Sequence, residues 1–307
     1  GDNWSSTINR NNTIYNRIRV ISNDGTAFTV HKFIKDFSEP TEGTTVKYKY
    51  RVGRPGAWSK DRYFTLRNRA DVITNGHNFL HITDEQGNTE EEYQTTRLTT
   101  EFIKQDSITN NYSYDFIVQT GDIAQNGNRF NEWIDYFNNR ELIFNDKEVM
   151  FTVGNNDLSP VDLSTFGRGE DWDKTSPQNV NFFFTFEHPF TIPKSSTGVY
   201  IPSIYSFFYG DTYYLSMNSE ITTAAVTSVF SQDATENIYS QTIKAWCDNE
   251  MLNLPTNPGI TWKVAFNHEG PFTLVVVDDI YSFVDTSNNI NNSQARNGSH
   301  LNTVGNY

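Results

Sequence analysis

The chain is 307 residues long and carries 24 basic against 37 acidic side chains, a formal charge of −13; a phosphate backbone demands a net basic face, so nucleic acid is excluded as the main partner. Apolar residues make up only 36% but aromatics reach 15%, so the core is to be built from Phe, Tyr and Trp, which each bury a large area. The single cysteine, Cys247, excludes a disulfide scaffold, and no apolar run approaches the roughly 20 residues of a membrane-spanning helix.

Residue 1 is Gly, and no charged-then-apolar leader follows it, which reads as a mature or trimmed chain. Up to about residue 70 the sequence is strand-like: Ile14 to Ile21, Ala27 to Phe37, Thr44 to Val52 and Tyr63 to Leu66 are rich in β-branched and aromatic residues and separated by turn signals. Arg67 to Gly76 reads as a linker. The grammar then becomes strand-helix alternation. Phe79 to Thr83 leads to a helix over Glu90 to Lys104, Asp115 to Thr120 to a helix over Phe130 to Asn138, and Glu148 to Val153 follows, which predicts an α/β layered domain. Leu158 to Pro202 is long and turn-rich, an excursion over the active face. Strands return at Ser206 to Met217 and Thr261 to Asn267, with a helix over Ala234 to Met251 between them. Thr286 to Tyr307 lacks periodicity and predicts a tail.

Each apolar strand stops on polar residues: Asp84, Gly121-Asp122, Gly154-Asn155-Asn156-Asp157 and Asn267-His268. In layered α/β folds ligands bind at the carboxyl ends of the strands. Two carboxylates, an amide oxygen and an imidazole suit Zn, Mn or Fe rather than a thiolate site, and a shared carboxylate lets two ions sit roughly 3.5 Å apart. Taken singly, each residue has an ordinary structural reading: Asp84 and Asp122 as turn or N-cap residues, Asn155 to Asp157 as loop, His268 as a packed histidine. Their ordered occurrence at successive strand ends favours a site. His31, His77, His81 and His188 show no ligand spacing, and neither a Gly-x-Ser-x-Gly elbow nor a phosphate loop is present.

The segments Ile82-Thr83-Asp84-Glu85-Gln86-Gly87, Gly121-Asp122, Gly154-Asn155-Asn156-Asp157 and His268-Glu269-Gly270-Pro271, in this order, resemble the calcineurin-like metallophosphoesterase superfamily. Upstream, Tyr48-Lys49-Tyr50-Arg51-Val52-Gly53, Trp58-Ser59 and Phe64-Thr65 are similar to the end of the fibronectin-like domain of purple acid phosphatases. The resemblance implies an α/β fold in which a layered β-sandwich flanked by helices, over 77–307, is preceded by a small all-β fibronectin-III-like module over 1–70. It implies a cofactor of two metal ions (Mn, Fe or Zn), with Asp84 on the first, Asp122 bridging, and Asn155 and His268 on the second. Gln86 stands where many members carry a metal-binding His. Asn156 and Asp157 are the expected catalytic residues, and Ser219 faces the cleft without being a ligand. The implied activity is hydrolysis of a small phosphate mono- or diester through a metal-bridging hydroxide.

Three positions depart from the family pattern. Gln125 stands where purple acid phosphatases have a tyrosinate ligand, which argues against a purple iron site, and Asn156 replaces the usual His that protonates the leaving group. The closing Gly-His-x-His is missing; Asn297-Gly298-Ser299-His300 reads as coil. The chain is therefore expected to be a piece of a longer protein, with its first module incomplete at the start and its second at the end. The rival expectation is a degenerate fold serving as a structural or adhesive component of a virion or cell surface, in keeping with an extracellular or particle-surface location. A carbohydrate-binding β protein would explain the aromatics but not the strand-end carboxylates.

Overall fold

The computed structural model describes residues 14–21, 27–34, 37–54, 56–127, 129–154, 156–158, 190–192, 201–217, 238–256, 259–268, 272–277 and 280–285. Of the expected excursion over Leu158 to Pro202, residues 159–189 and 193–200 lie outside them, while 190–192 and 201–202 belong to strands; the tail over 286–307, and Asn155, His188 and Ser219 also lie outside.

The described residues up to Arg67 lie in strands, turns and loops, as their β-branched and aromatic runs predict. Strands β1 (Ile14–Ile21) and β2 (Ala27–Ile34) form one antiparallel pair, which contains His31. Strands β3 (Thr45–Tyr50) and β6 (Arg62–Arg67) form another, and β4 (Gly53–Arg54) and β5 (Ala57–Trp58) make a short hairpin between them. On β3 and β6 the half-buried positions alternate, and Tyr48 stacks on its cross-strand partner Phe64 at 5.2 Å between ring centroids. Such pairs stabilise a small sheet that has little core of its own. Polar contacts join this sheet to the α/β region: Tyr50 donates to the Asn145 carbonyl at 2.9 Å, Arg62 pairs with Glu141, and Arg67 Nη1 donates to Asp115 Oδ1 at 2.9 Å.

The expected linker after β6 is instead helix α1 (Arg69–Asn75). The Asn68 side-chain oxygen caps it by accepting from the Ala70 amide at 2.8 Å, while its Nδ2 donates to the Pro40 carbonyl at 2.8 Å. Two turns with one buried residue, Val72, show no apolar period, so only the cap marks the helix in the sequence.

The alternating region folds as its pattern predicts, with longer helices. Strands β7 (Phe79–Ile82), β8 (Phe116–Thr120) and β9 (Glu148–Thr152) form a parallel sheet in that order, connected through α2 (Glu90–Thr109) and α3 (Phe130–Phe144). Helix α2 starts in a capping box between Thr89 and Glu92, with three acidic residues in its first turn complementing the dipole. The predicted strand over Ser206 to Met217 is two: β11 (Ile201–Tyr209) and β12 (Thr212–Ser216) pair antiparallel around Gly210 and Asp211. With β10 (Phe190–Ile192) and β13 (Trp262–Phe266) they form a second sheet, β13 lying parallel to β12 and reached after helix α4 (Ile238–Leu252). Strands β14 (Phe272–Val277) and β15 (Ile280–Asp285) pair as a hairpin.

Alternation along β8 sets the layers. Phe116 and Val118 pack on Tyr205, Phe207 and Tyr214 of the second sheet, whereas Ile117 packs on Ile143 of α3. The α3 stripe Trp133, Tyr136 and Ile143 is fully buried and continues the core with Tyr93, Ile123 and Val153. The two sheets thus face each other with α2 and α3 outside the first, the layered sandwich flanked by helices that the sequence predicts. No helix among the described residues is long and apolar enough to cross a membrane.

Candidate metal centre

The parallel order of β7 and β8, and of β12 and β13, brings their carboxyl ends to one edge. Asp84 follows β7, Asp122 follows β8 and His268 follows β13. Ligand atoms of these three side chains all lie within 4.8 Å of one another. Asp84 is exposed, whereas the Asp122 and His268 side chains are 4% and 6% exposed.

Backbone constraints make this convergence possible. Gly121 has φ +96°, and a Cβ there would lie 2.7 Å from the Gly154 backbone and 2.8 Å from His268 Nδ1. A Cβ on Gly154 would lie 2.3 Å from Asp122 Oδ1. Only glycine lets the two loops touch. Gly121→Ala is expected to cost about 2–4 kcal/mol in stability, through strain and overpacking together, which chemical denaturation would measure. Asp84 and Asp122 themselves sit at φ +55° and +56°, a region that costs most non-glycine residues free energy and that aspartate enters more readily. The two turns hold each other: the Asp84 amide donates to the Gly121 carbonyl and the Glu85 amide to the Asp122 carbonyl, both at 3.2 Å. The Gln119 side chain brackets Gly121, donating to its carbonyl at 2.9 Å and accepting from its amide at 2.8 Å.

The donor atoms are oriented one by one. His268 Nδ1 lies 2.8 Å from the Thr120 carbonyl, which can only accept, so Nδ1 carries a proton and Nε2, 3.5 Å from Asp122 Oδ1, is the ring nitrogen left to meet a cation. Asp122 Oδ1 accepts from the Asn156 amide at 2.9 Å, and Oδ2 accepts from Asn156 Nδ2 at 2.6 Å and Gln86 Nε2 at 3.2 Å. Gln125 Nε2 donates to Asn156 Oδ1 at 3.1 Å, which turns the Asn156 amide nitrogen toward Asp122. Burial raises the Asp122 carboxyl above the ordinary range, the Asp84 charge adds to this, and His268 and the Asn156 donors oppose it.

Gln86 Oε1 is buried and accepts no hydrogen bond among the described residues. A buried carbonyl oxygen without a donor is costly, and its position beside Asp122 fits a cation as the missing partner. Oxygen donors with one imidazole are the ligand chemistry of Mn, Fe or Zn, so the residues present fit a metal centre.

Asp157 is placed differently from the other strand-end residues. Its carboxylate is fully buried and accepts four backbone N–H bonds: from Ile123 and Ala124 on Oδ1 at 2.7 and 3.1 Å, and from Asp122 and Gly154 on Oδ2 at 3.0 and 2.9 Å. Burial and the Asp122 charge push it up to about 7, against the pull of the amides. His77 and His81 have partners of their own, Tyr214 Oη at 2.6 Å and Thr120 Oγ1 at 2.8 Å. Sequence reasoning passes over Gln119, whose signal is a polar residue in the wholly buried strand β8, and Arg140, a charge inside the apolar stripe of α3.

Comparison with known proteins bears on this arrangement. The family model described as calcineurin-like phosphoesterase matches residues 77–291, well over half of the chain. Among solved structures, purple acid phosphatase PPD1 isolated from yellow lupin (Lupinus luteus) seeds is similar at a TM-score of 0.52 and 12% identity, over 87% of this chain and 45% of that one. At that identity the likeness shows the fold, and this chain spans less than half the length of the lupin protein's chain. No curated protein matches the chain. With the family's model running from just before β7 through the strand-end cluster to beyond β15, the chain belongs to the calcineurin-like phosphoesterase family.

Proposed function

We propose that the chain is a metal-dependent phosphoesterase acting on small phosphate mono- or diesters, with Asp84, Gln86, Asp122, Asn155 and His268 as ligands of two metal ions. The observation that carries this reading is the convergence of Asp84, Asp122 and His268 from three strand ends, with the buried Gln86 Oε1 beside them, which accepts no hydrogen bond among the described residues. Asn155 enters by its place in the chain between Gly154 and Asn156. Bound ions would supply Lewis-acid charge and acidify a coordinated water.

The protein's own side chains divide the remaining work. Asp122, shared and buried, is oriented by Asn156 and Gln86. The His268 tautomer is set by Thr120, which leaves Nε2 as the donor atom. Asn156 has no titratable proton, so its role is to donate hydrogen bonds, to Asp122 and to a phosphoryl oxygen, rather than to act as an acid. Asp157, expected to be catalytic, we assign to positioning, because both its oxygens are engaged by the amides that shape the Asp122 and Gly154 loops. The all-β segment over 1–70 serves as a flanking platform for the domain over 77–307, tethered through Tyr50, Arg62 and Arg67.

Elemental analysis for Mn, Fe and Zn, with turnover of an aryl phosphate monoester and diester, tests the reading. Near two metals per chain with turnover that a chelator removes is the expected result. No metal after reconstitution would overturn it and favour a degenerate fold used as a structural or adhesive part.

A further inference from the structure

On the helix side of the first sheet a fully buried arginine, Arg140 of α3, pairs with Glu85. Arg140 Nε donates to Glu85 Oε2 at 2.9 Å, and Nη1 donates to Thr100 Oγ1 of α2 at 2.6 Å. Thr100 Oγ1 in turn donates to the Thr96 carbonyl at 2.8 Å, and Tyr136 donates to Glu85 Oε2 at 3.2 Å. Glu85 is thus held at its side chain by α3, itself braced on α2, and at its amide by the Asp122 carbonyl. It lies between Asp84 and Gln86 in the chain.

An apolar residue at position 140 would fill the stripe without the desolvation of a buried guanidinium, so packing does not account for the pair. What an ion pair with a charge-assisted hydrogen bond, Arg140 Nε to Glu85 Oε2, adds is a fixed direction. The residue that needs fixing is Asp84, whose φ of +55° is better tolerated by aspartate than by most residues yet still costs free energy unless its neighbours offset it. We propose that Glu85 and Arg140 form a positioning pair that holds the Asp84-Glu85-Gln86 turn in place and so sets metal affinity at the Asp84 end of the centre. This rests on the metal reading above. Released from the tether, Asp84 relaxes toward ordinary extended backbone, and its carboxylate leaves Asp122 and His268.

Arg140→Met alone strands a half-buried carboxylate and threatens folding, so the informative variant is the neutral double change Glu85→Gln with Arg140→Met, compared with Arg140→Lys. Three quantities are read on the whole chain: amide hydrogen exchange of the metal-free protein, Mn²⁺ binding by calorimetry, and the unfolding temperature. In the double variant the amides of Asp84 and Glu85 should exchange about 10-fold faster or more, through local opening. Mn²⁺ affinity at one site should fall about 10- to 100-fold, the range for groups that support metal ligands. Arg140→Lys, which keeps the charge but loses the fork to Thr100, should fall between. Unchanged exchange at Asp84 and Glu85, or unchanged Mn²⁺ affinity beside a wild-type protein that binds the ion, overturns the proposal. A lower unfolding temperature with no selective change at those amides does so too, since it marks a merely structural pair. If the wild-type protein takes up no Mn²⁺, the metal reading fails, and the exchange measurement still decides the positioning role.

Discussion

Asp122→Asn is expected to lower metal-dependent phosphoester turnover by about 10³-fold or more, because the change removes a shared anionic ligand from the centre of the proposed site. The side chain is 4% exposed and faces His268 Nε2 and the Asp84 carboxylate. An amide there offers one oxygen in place of two and turns an N–H₂ toward donors that now point at Asp122 Oδ2, Asn156 Nδ2 and Gln86 Nε2. Lost charge-assisted hydrogen bonds weigh against stability, while relief of repulsion from Asp84 weighs for it. The fold should therefore survive within about 2 kcal/mol. Metal content below one ion per chain, with unfolding close to that of the parent, is the outcome that supports the shared-ligand assignment. Undiminished turnover of an aryl phosphate would sink it.

Asp157→Asn should act in the opposite way, on stability first. Four amide protons converge on the two oxygens of Asp157 in a fully buried place. An asparagine can accept two of them on its oxygen, and its N–H₂ then confronts the other two. Each buried N–H left without an acceptor costs about 1–3 kcal/mol, so a loss of about 3–5 kcal/mol is expected. For a chain of this size that corresponds to a fall of about 5–8 °C in unfolding temperature. Since two of the amides belong to Asp122 and Gly154, turnover should also fall, as a consequence of displaced loops. A variant that unfolds with the parent protein but has lost turnover would return Asp157 to the reacting groups.

The two substitutions separate ligand from support, a distinction the linear sequence does not carry. Asp84, Asp122 and Asp157 look alike in sequence: each is an aspartate a few residues beyond an apolar strand. Which one turns its carboxylate toward a cation and which toward backbone amides depends on the loop that each terminates. Asp157 closes a single turn of 3₁₀ helix over Asn156–Leu158, which sets its side chain beneath the Gly121-Asp122 turn.

The sequence by itself determined strands β7, β8, β9 and β13, the polar residues on which they stop and their order along the chain, but neither β10, β14 and β15 nor the break between β11 and β12. Those properties follow from apolar runs, alternation and turn chemistry acting over a few residues, which is why β7, β8, β9 and β13 end at or within a residue of where the apolar runs end. Helix α1 escaped because seven residues with one buried side chain have no period to detect. The layering of two sheets, the meeting of His268 with an aspartate 146 positions earlier at 3.5 Å, the His268 tautomer and the Glu85–Arg140 pair were decided only by tertiary structure. The physical reason is one of range: local propensity acts within a turn or a strand, whereas the facing of one donor to one acceptor is set by strand order, register and glycine-permitted contact between loops far apart in the chain.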